Sequence, residues 1–342
     1  MLVLLSSDYS PRYKQDVLRC LATPTGGTVQ FRYDKVHISD GVLEQLGGKL
    51  SLPAPAIVCS VATKGIGPLT IVPVRAVDIV NAREHGSTVS VVLRMKEIVQ
   101  ADPAKFTAAI DKMSAGASPR KKTEDASPEG KYFFYIDTLP EGCEQKSNLR
   151  IWEQTVTGLR EQQAYQDEVF FWTVVGIQRE GEHLDPGTLH SVPDHLSAGS
   201  NFEVLIYHYQ PRGGQKPNSR LELKVGPSVD LVVPPDAAVD SRYDFKTWTC
   251  RTSSNMQASH ESWLRIRTSG DWELDIPIRI ASAWTRWILR AIVTGVLLAI
   301  PSITAVVPQP LSGWEKAELC GAAALFGFFA ALAATFNIDR LG

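Results

Sequence analysis

Polar and apolar positions divide this chain into three regimes. In the first, "SPRYKQDVLRCLA" (10–22), "DGVLEQL" (40–46) and "DPAKFTAAIDKM" (102–113) read as helices, with Ser10 as an N-cap and Pro11 in the first turn of the first of them. Between them, "TVQFRYDKV", "PAIVCSVAT", "LTIVPVRAVDIVNA" and "STVSVVLRM" are rich in β-branched residues with partial alternation, which predicts strands. "MLVLLSSDYS" lacks a basic start and a cleavage site, so it reads as a first strand rather than a signal peptide. The second regime is mostly β. After "KYFFYIDTL" and a helix at "NLRIWEQTVTGLREQQA" come "EVFFWTVVGIQRE", "NFEVLIYHYQPR", "SRLELKVG", "VDLVVPP", "DFKTWTCRT", "ESWLRIRTS" and "DWELDIPIRI". The strict alternation in "RLELKV" and "WLRIRT" implies strands with one solvated face.

The third regime has no periodicity because it has almost no polar positions. Ala291 to Val307 is a run of 17 uncharged residues, and Leu319 to Phe336 is a second uncharged run. A bilayer core needs about 17 to 25 apolar residues in a helix. Pro301 would cost a soluble helix about 3 kcal/mol but is better tolerated in a membrane helix. Trp284, Trp287 and Trp314 flank the runs as interface anchors, while Arg286 and Arg290, one helical turn apart, can snorkel to phosphates. Residues 284–338 therefore read as a helical hairpin crossing the membrane twice; the competing reading is a buried hairpin in a soluble core. Gly295 and Ala299 on the first helix, and Ala323, Gly327 and Ala331 on the second, form small-residue faces suited to close helix packing, within one chain or between copies. Arg279, Arg286 and Arg290 precede the first span and Arg340 follows the second, whereas the connection holds only Lys316 beside two glutamates. That bias puts both termini in the cytoplasm. Arg279, Arg286 and Arg290 also give membrane lipids a basic boundary worth about 1 kcal/mol per residue.

These regimes set the organisation: an N-terminal domain over 1–113, a linker over 114–130 ("SAGASPRKKTEDASPEG"), a second domain over 131–280 and the hairpin over 284–338. The fold class is mostly β with some α. The first domain is a small barrel-like or α+β unit, and the second an antiparallel sandwich. The last strand enters the first span almost directly, through "ASAWTRW".

Composition narrows the partners. With 342 residues and a net charge of -2, there is no basic excess, so no direct nucleic-acid binding is predicted. Phe31, Arg32 and Tyr33 have the look of a base-stacking trio, but a strand with its aromatics in the core explains them as well. The five cysteines are scattered without CxxC spacing, which points to a reducing compartment and not to a disulfide framework or zinc knuckle. No catalytic or cofactor motif occurs, and none of the common hydrolase or nucleotide-loop patterns is present. The densest candidate chemistry is "EHLDPGTLHSVPDH", which holds His183, Asp185, His190, Asp194 and His195. It matches no metal-ligand spacing and reads as a loop. "VDSRYDFKTW" sets Asp240, Arg242 and Asp244 beside aromatics, either as a polar ligand contact or as a charged turn entering a strand.

A β-rich chain ending in the 284–338 hairpin resembles, in layout, the two-helix membrane effectors of bacterial antiphage systems, such as those of cyclic-oligonucleotide signalling or those paired with short Argonautes. The resemblance implies a non-enzymatic effector at the bacterial inner membrane. Its cytosolic domains would sense a signalling ligand or protein partner, and its hairpin would self-associate and breach the permeability barrier. The alternatives are a passive membrane-tethered scaffold and, more remotely, a hydrolase built on the histidine loop.

Overall fold

The computed structural model describes residues 2–7, 11–35, 38, 40–62, 70–114, 132–135, 138–168, 170–185, 187–211, 220–239, 241–254, 259–268 and 273–282. The predicted hairpin, and with it Trp284, Arg286, Trp287, Arg290, Gly295, Ala299, Trp314, Ala323, Gly327 and Ala331, lies outside the described residues, as do Asp240 and the linker beyond Ser114. Among the described residues no helix is long and apolar enough to cross a membrane. The fold is β-rich α+β.

The chain begins with β1 (Leu2–Ser7), α1 (Pro11–Ala22), β2 (Thr28–Asp34) and α2 (Asp40–Glu44), the last running into a π-helical turn, Gln45–Lys49. Then follow β3 (Ala54–Ala62), β4 (Thr70–His85), β5 (Thr88–Gln100) and α3 (Pro103–Ser114). Next come β6 (Tyr132–Tyr135), β7 (Glu144–Lys146) and α4 (Leu149–Leu159). These strands form one mixed sheet in the order β2-β5-β4-β3-β1-β6, with β7 added against β5. Its outer strands β2 and β6 do not pair with one another, so the sheet is open and not a barrel.

One prediction about this region needs correcting. "KYFFYIDTL" was expected to open the second domain, yet Tyr132–Tyr135 pairs antiparallel with β1, and β7 pairs with β5. The chain returns to the first sheet after the linker because the edge of β1 offers unpaired main-chain groups.

The remaining strands are β8 (Phe171–Arg179), β9 (Leu196–Ser197), β10 (Asn201–Tyr209), β11 (Arg220–Val225), β12 (Val229–Leu231), β13 (Asp236–Ala238), β14 (Tyr243–Thr252), β15 (His260–Thr268) and β16 (Glu273–Ala281). They make a four-stranded sheet, β12-β14-β10-β8, and a five-stranded sheet, β13-β11-β15-β16-β9. The two sheets share one core, in which Trp172, Ile206 and Trp248 of the first meet Leu223, Ile266 and Ile278 of the second.

The layers stack because β8 is buried on both faces. Trp172 and Val174 point into the core shared by the two sheets, while Phe171 and Val175 join a second core with α1, α4 and the first sheet. That is why "FFWTVV", with only Thr173 polar, reads as a nearly continuous apolar run instead of an alternating one. On the far side of the first sheet, α3 buries Phe106 and Ile110 against Val3, Ile57 and Ile71. Helix ends follow their sequence signals. Asp102 Oδ1 accepts from Lys105 N at 2.9 Å at the start of α3, and Asn148 Oδ1 accepts from Ile151 N at 2.9 Å at the start of α4.

The C-terminal end of α1 is the joint of the molecule. A helix leaves its last carbonyls without internal partners, and here they are buried between layers. Arg75 of β4, fully buried, donates from Nη1 to Cys20 O at 2.8 Å and to Thr23 O, and from Nε to Lys96 O at 2.8 Å. Trp152 of α4 donates its indole N–H to Leu21 O at 2.9 Å. A cation at a helix C-terminus is also favoured by the helix dipole. Burial pulls the Arg75 guanidinium down to about 10, which leaves it charged at neutral pH.

Candidate functional site

A cleft of about 590 Å³ opens beside this joint, where the first sheet meets the five-stranded sheet. One wall is the turn after α1, with Gly26, Gly27 and Thr28, together with Arg94 of β5. The second is the segment Ser191–Asp194, and the third is Glu261 of β15 with Pro277, Ile278 and Arg279 of β16.

Each wall is fixed by its sequence. Gly26 N donates to Met95 O at 2.9 Å and Met95 N to Gly27 O at 2.8 Å, which tie the turn to β5. Gly26 has φ +84°, a left-handed conformation that favours glycine. A Cβ on Gly27 would lie 2.7 Å from Thr23 Cγ2, so a side chain there cannot fit without displacement. Val192 N donates to Thr25 O at 3.0 Å and joins the second wall to the first. Further along, the same segment becomes β9, which pairs parallel with Ile280 and Ala281 at the end of β16.

The cleft's charges balance. Glu261 and Arg279 stand directly opposite each other on β15 and β16, and Asp194 and Arg94 add one charge of each sign. Arg94, Asp194, Glu261 and Arg279 are all exposed. Among the described residues none of the four lies in an ion pair within 4.0 Å.

The predicted site residues distribute unevenly over this geometry. Arg279, read from the sequence as part of a basic membrane boundary, is an exposed wall residue of the cleft. Asp194 of the histidine loop lines it too. The rest of that loop is built as a turn: Asp185 Oδ1 accepts from Gly187 N at 2.9 Å and Oδ2 from Thr188 Oγ1 at 3.0 Å. Those bonds hold the Asp185 carboxyl below the ordinary carboxylate range. His190 Nε2 contacts Asp185 O at 2.9 Å, and His183 Nδ1 contacts Leu184 O at 3.0 Å. The loop lies on β8 at Gly176, where a Cβ would come within 3.0 Å of His190 Cβ and 3.1 Å of Leu184 Cδ1. Among the described residues no group of three or more His, Cys, Asp or Glu side chains could hold a metal ion.

Arg242 and Asp244 enter β14 away from the cleft. Gln210 N donates to Arg242 O at 2.7 Å, while Asp244 accepts from Phe245 N at 2.8 Å and from Lys246 Nζ at 3.3 Å. The Phe245 N–H is the main reason the Asp244 carboxyl is held low. Phe31 and Tyr33 are buried in the core below the first sheet, and Arg32 donates to Thr88 Oγ1 at 3.2 Å.

The cleft itself was not legible in the sequence. Its signals were the "TPTGGT" turn and a proline, Pro277, inside an alternating strand. Arg75, in the middle of the apolar run "IVPVRAVDIV", was the corresponding sign of the helix joint.

No family model matches the chain, and no curated protein matches it. Solved structures give partial likeness. A FixG-related protein from Vibrio parahaemolyticus matches at 8% identity over 34% of this chain and 98% of its own, with a TM-score of 0.23. The periplasmic chaperone SfaE matches at 8% over 33% of this chain and 55% of its own, with a TM-score of 0.21. The VesB protease of Vibrio cholerae matches at 8% over 75% of this chain and 96% of its own, with a TM-score of 0.19.

Proposed function

We propose that the protein is a non-enzymatic membrane effector or receptor of the bacterial inner membrane. In this reading the β-rich region is cytosolic and senses a ligand or protein partner, with the two sheets over 170–282 acting as an antiparallel sandwich. Residues 284–338 are a transmembrane hairpin that self-associates and perturbs the bilayer, as in antiphage defence. No cofactor or metal is needed for this activity.

One observation supports the reading above the others. β16 lines the cleft with Pro277, Ile278 and Arg279 and ends at Ala281, three residues before Trp284. The segment that forms the second wall also clamps the end of β16, through β9 and through Ala198 N donating to Ala281 O at 3.0 Å. Filling or closing the cleft therefore acts on the strand that feeds the first span. The same clamp, if rigid, serves the alternative reading of a passive membrane-tethered scaffold.

The membrane assignment is tested by carbonate washing and by labelling from outside the cell. The full-length chain should stay with the membrane pellet. A cysteine introduced at Ser312 should label in intact cells, and one at the exposed Ser51 only after permeabilisation. Native Cys20 and Cys59 are fully buried and cannot serve as controls. Recovery in the soluble fraction, or the opposite labelling, removes the hairpin from the account.

A further inference from the structure

We infer that the cleft receives a short extended segment of a cytosolic protein partner, laid as an added strand along the outer edge of β16. The inference rests on the reading of the cleft as the sensing site and specifies what it senses.

The edge follows from the hydrogen-bond parity of the sheet. Trp263 O accepts from Gly226 N on the β11 side at 2.8 Å, so its neighbours Ser262 and Leu264 turn their main chain toward β16. They stand opposite Ile278 and Ile276. The alternate residues of β16, from Glu273 through Asp275, Pro277 and Arg279 to Ala281, thus aim their main-chain groups outward. Both ends of that outer edge are filled: Arg19 Nε donates to Glu273 O at 3.3 Å, and Ala198 N to Ala281 O at 3.0 Å. β9 reaches no further than Ile280, because the chain before it turns away to bond Thr25. Among the described residues no strand stands against Asp275 to Arg279. The stretch spans about 13 Å at the usual rise per strand residue, and its C-terminal half is the wall of the cleft.

The chemistry of the walls favours a peptide over a phosphate-bearing small molecule. A polyanion attracted to Arg94 and Arg279 would meet Asp194 and Glu261 in the same space. A peptide main chain is neutral, and its flanking side chains can supply one charge of each sign. The Asp275 carboxylate is already held by Arg265, at 2.6 and 2.9 Å, so its main chain is what remains for a partner. Pro277 has no N–H, which breaks the ladder after one step and limits the added strand to a short segment. The mode is strand addition at a sheet edge, with affinity from main-chain bonds and selectivity from alternate side chains.

The proline gives the test its sign. Random heptapeptides displayed on phage are selected on the full-length chain in mild detergent, and the best synthetic peptide is titrated calorimetrically. Pro277→Ala supplies an outward N–H and should tighten binding about threefold to tenfold, the range for one added hydrogen bond. Arg279→Pro, which removes an outward N–H, should weaken binding by a similar factor relative to Arg279→Ala, which keeps it. The Arg279 amide should gain protection from hydrogen exchange when peptide binds. The inference is overturned if no peptide is selected, if Pro277→Ala leaves affinity unchanged, or if inorganic pyrophosphate competes for the cleft. Peptide binding without any effect on the membrane would keep this site and reject the effector reading. Membrane depolarisation by a chain that selects no peptide would do the reverse.

Discussion

Arg75→Met is the substitution that best probes how the layers are joined. It keeps a stem of similar length and removes the guanidinium, which leaves Cys20 O, Thr23 O and Lys96 O without their donor. Thr25 Oγ1, at 3.2 Å from Nη2, loses a weaker contact. Each buried carbonyl left unsatisfied costs about 1–3 kcal/mol. Against that, the folded state no longer holds a buried charge. The fall of Arg75 from 12.5 to about 10 puts that relief on the order of 3 kcal/mol. Three carbonyls at about 2 kcal/mol each, less that relief, leave a net loss of about 3 kcal/mol. Arg75→Lys should lose less, because an ammonium keeps the charge at the helix end but cannot reach all the carbonyls. Urea denaturation followed by tryptophan fluorescence measures this directly, since Trp152 is buried at the same helix end. A loss below about 1 kcal/mol for Arg75→Met would mean that water reaches these carbonyls, and the joint as argued would be wrong.

Three further outcomes follow from the described residues. Gly27→Ala should lower stability by about 1–3 kcal/mol in the same assay, because the new Cβ meets Thr23 Cγ2 at 2.7 Å and Pro24 O at 3.1 Å. Burial pushes the Cys250 thiol up to about 12 and raises Cys59 well above its usual value, so at about pH 8 a thiol reagent should modify half-buried Cys143 before Cys20, Cys59 or Cys250, which should react only on unfolding. Asp185 is depressed by bonds to its ionised form, chiefly from Gly187 N. Its turn is therefore intact above the ordinary carboxylate range and released as pH falls through the lowered value. Protection of the Gly187 amide should be flat from neutral pH to about pH 5, decline at more acidic pH, and be lost throughout in Asp185→Ala, which removes the accepting oxygen.

Local structure was legible where a short stretch carried its own signal. Helices α3 and α4 start at the capping residues Asp102 and Asn148, and the alternation of "RLELKV" matches the burial of Leu221 and Leu223 in β11. What depended on distant partners was not legible. β6 has the composition of any buried strand, and nothing in "YFFY" says that its neighbour is β1, on the other side of the linker. Arg75 interrupts a mostly apolar stretch of β4. Its reason is a helix end more than fifty residues earlier in the chain. The cleft is harder still, because its walls come from residues 26–28, 94, 191–194, 261 and 277–279, and no one of these segments carries a motif. Arg279 read in the sequence as a membrane-boundary residue, and the fold sets it in the cleft wall.

The account turns on whether the hairpin acts by packing against itself in the bilayer. In lipid, close backbone approach drives helix association, and in the proposed hairpin the four-residue spacing of Ala323, Gly327 and Ala331 would put small residues on one face. Membrane potential should be read with a voltage-sensitive dye in cells expressing the full-length chain or Gly327→Leu, matched for membrane abundance and raised until mass action favours assembly. The account predicts that the wild-type chain depolarises the cells and that Gly327→Leu, though still in the membrane, does not. Equal depolarisation by both chains would show that this face is not the assembly surface, and an unchanged potential with the wild-type chain would contradict the effector reading and leave the protein a tether.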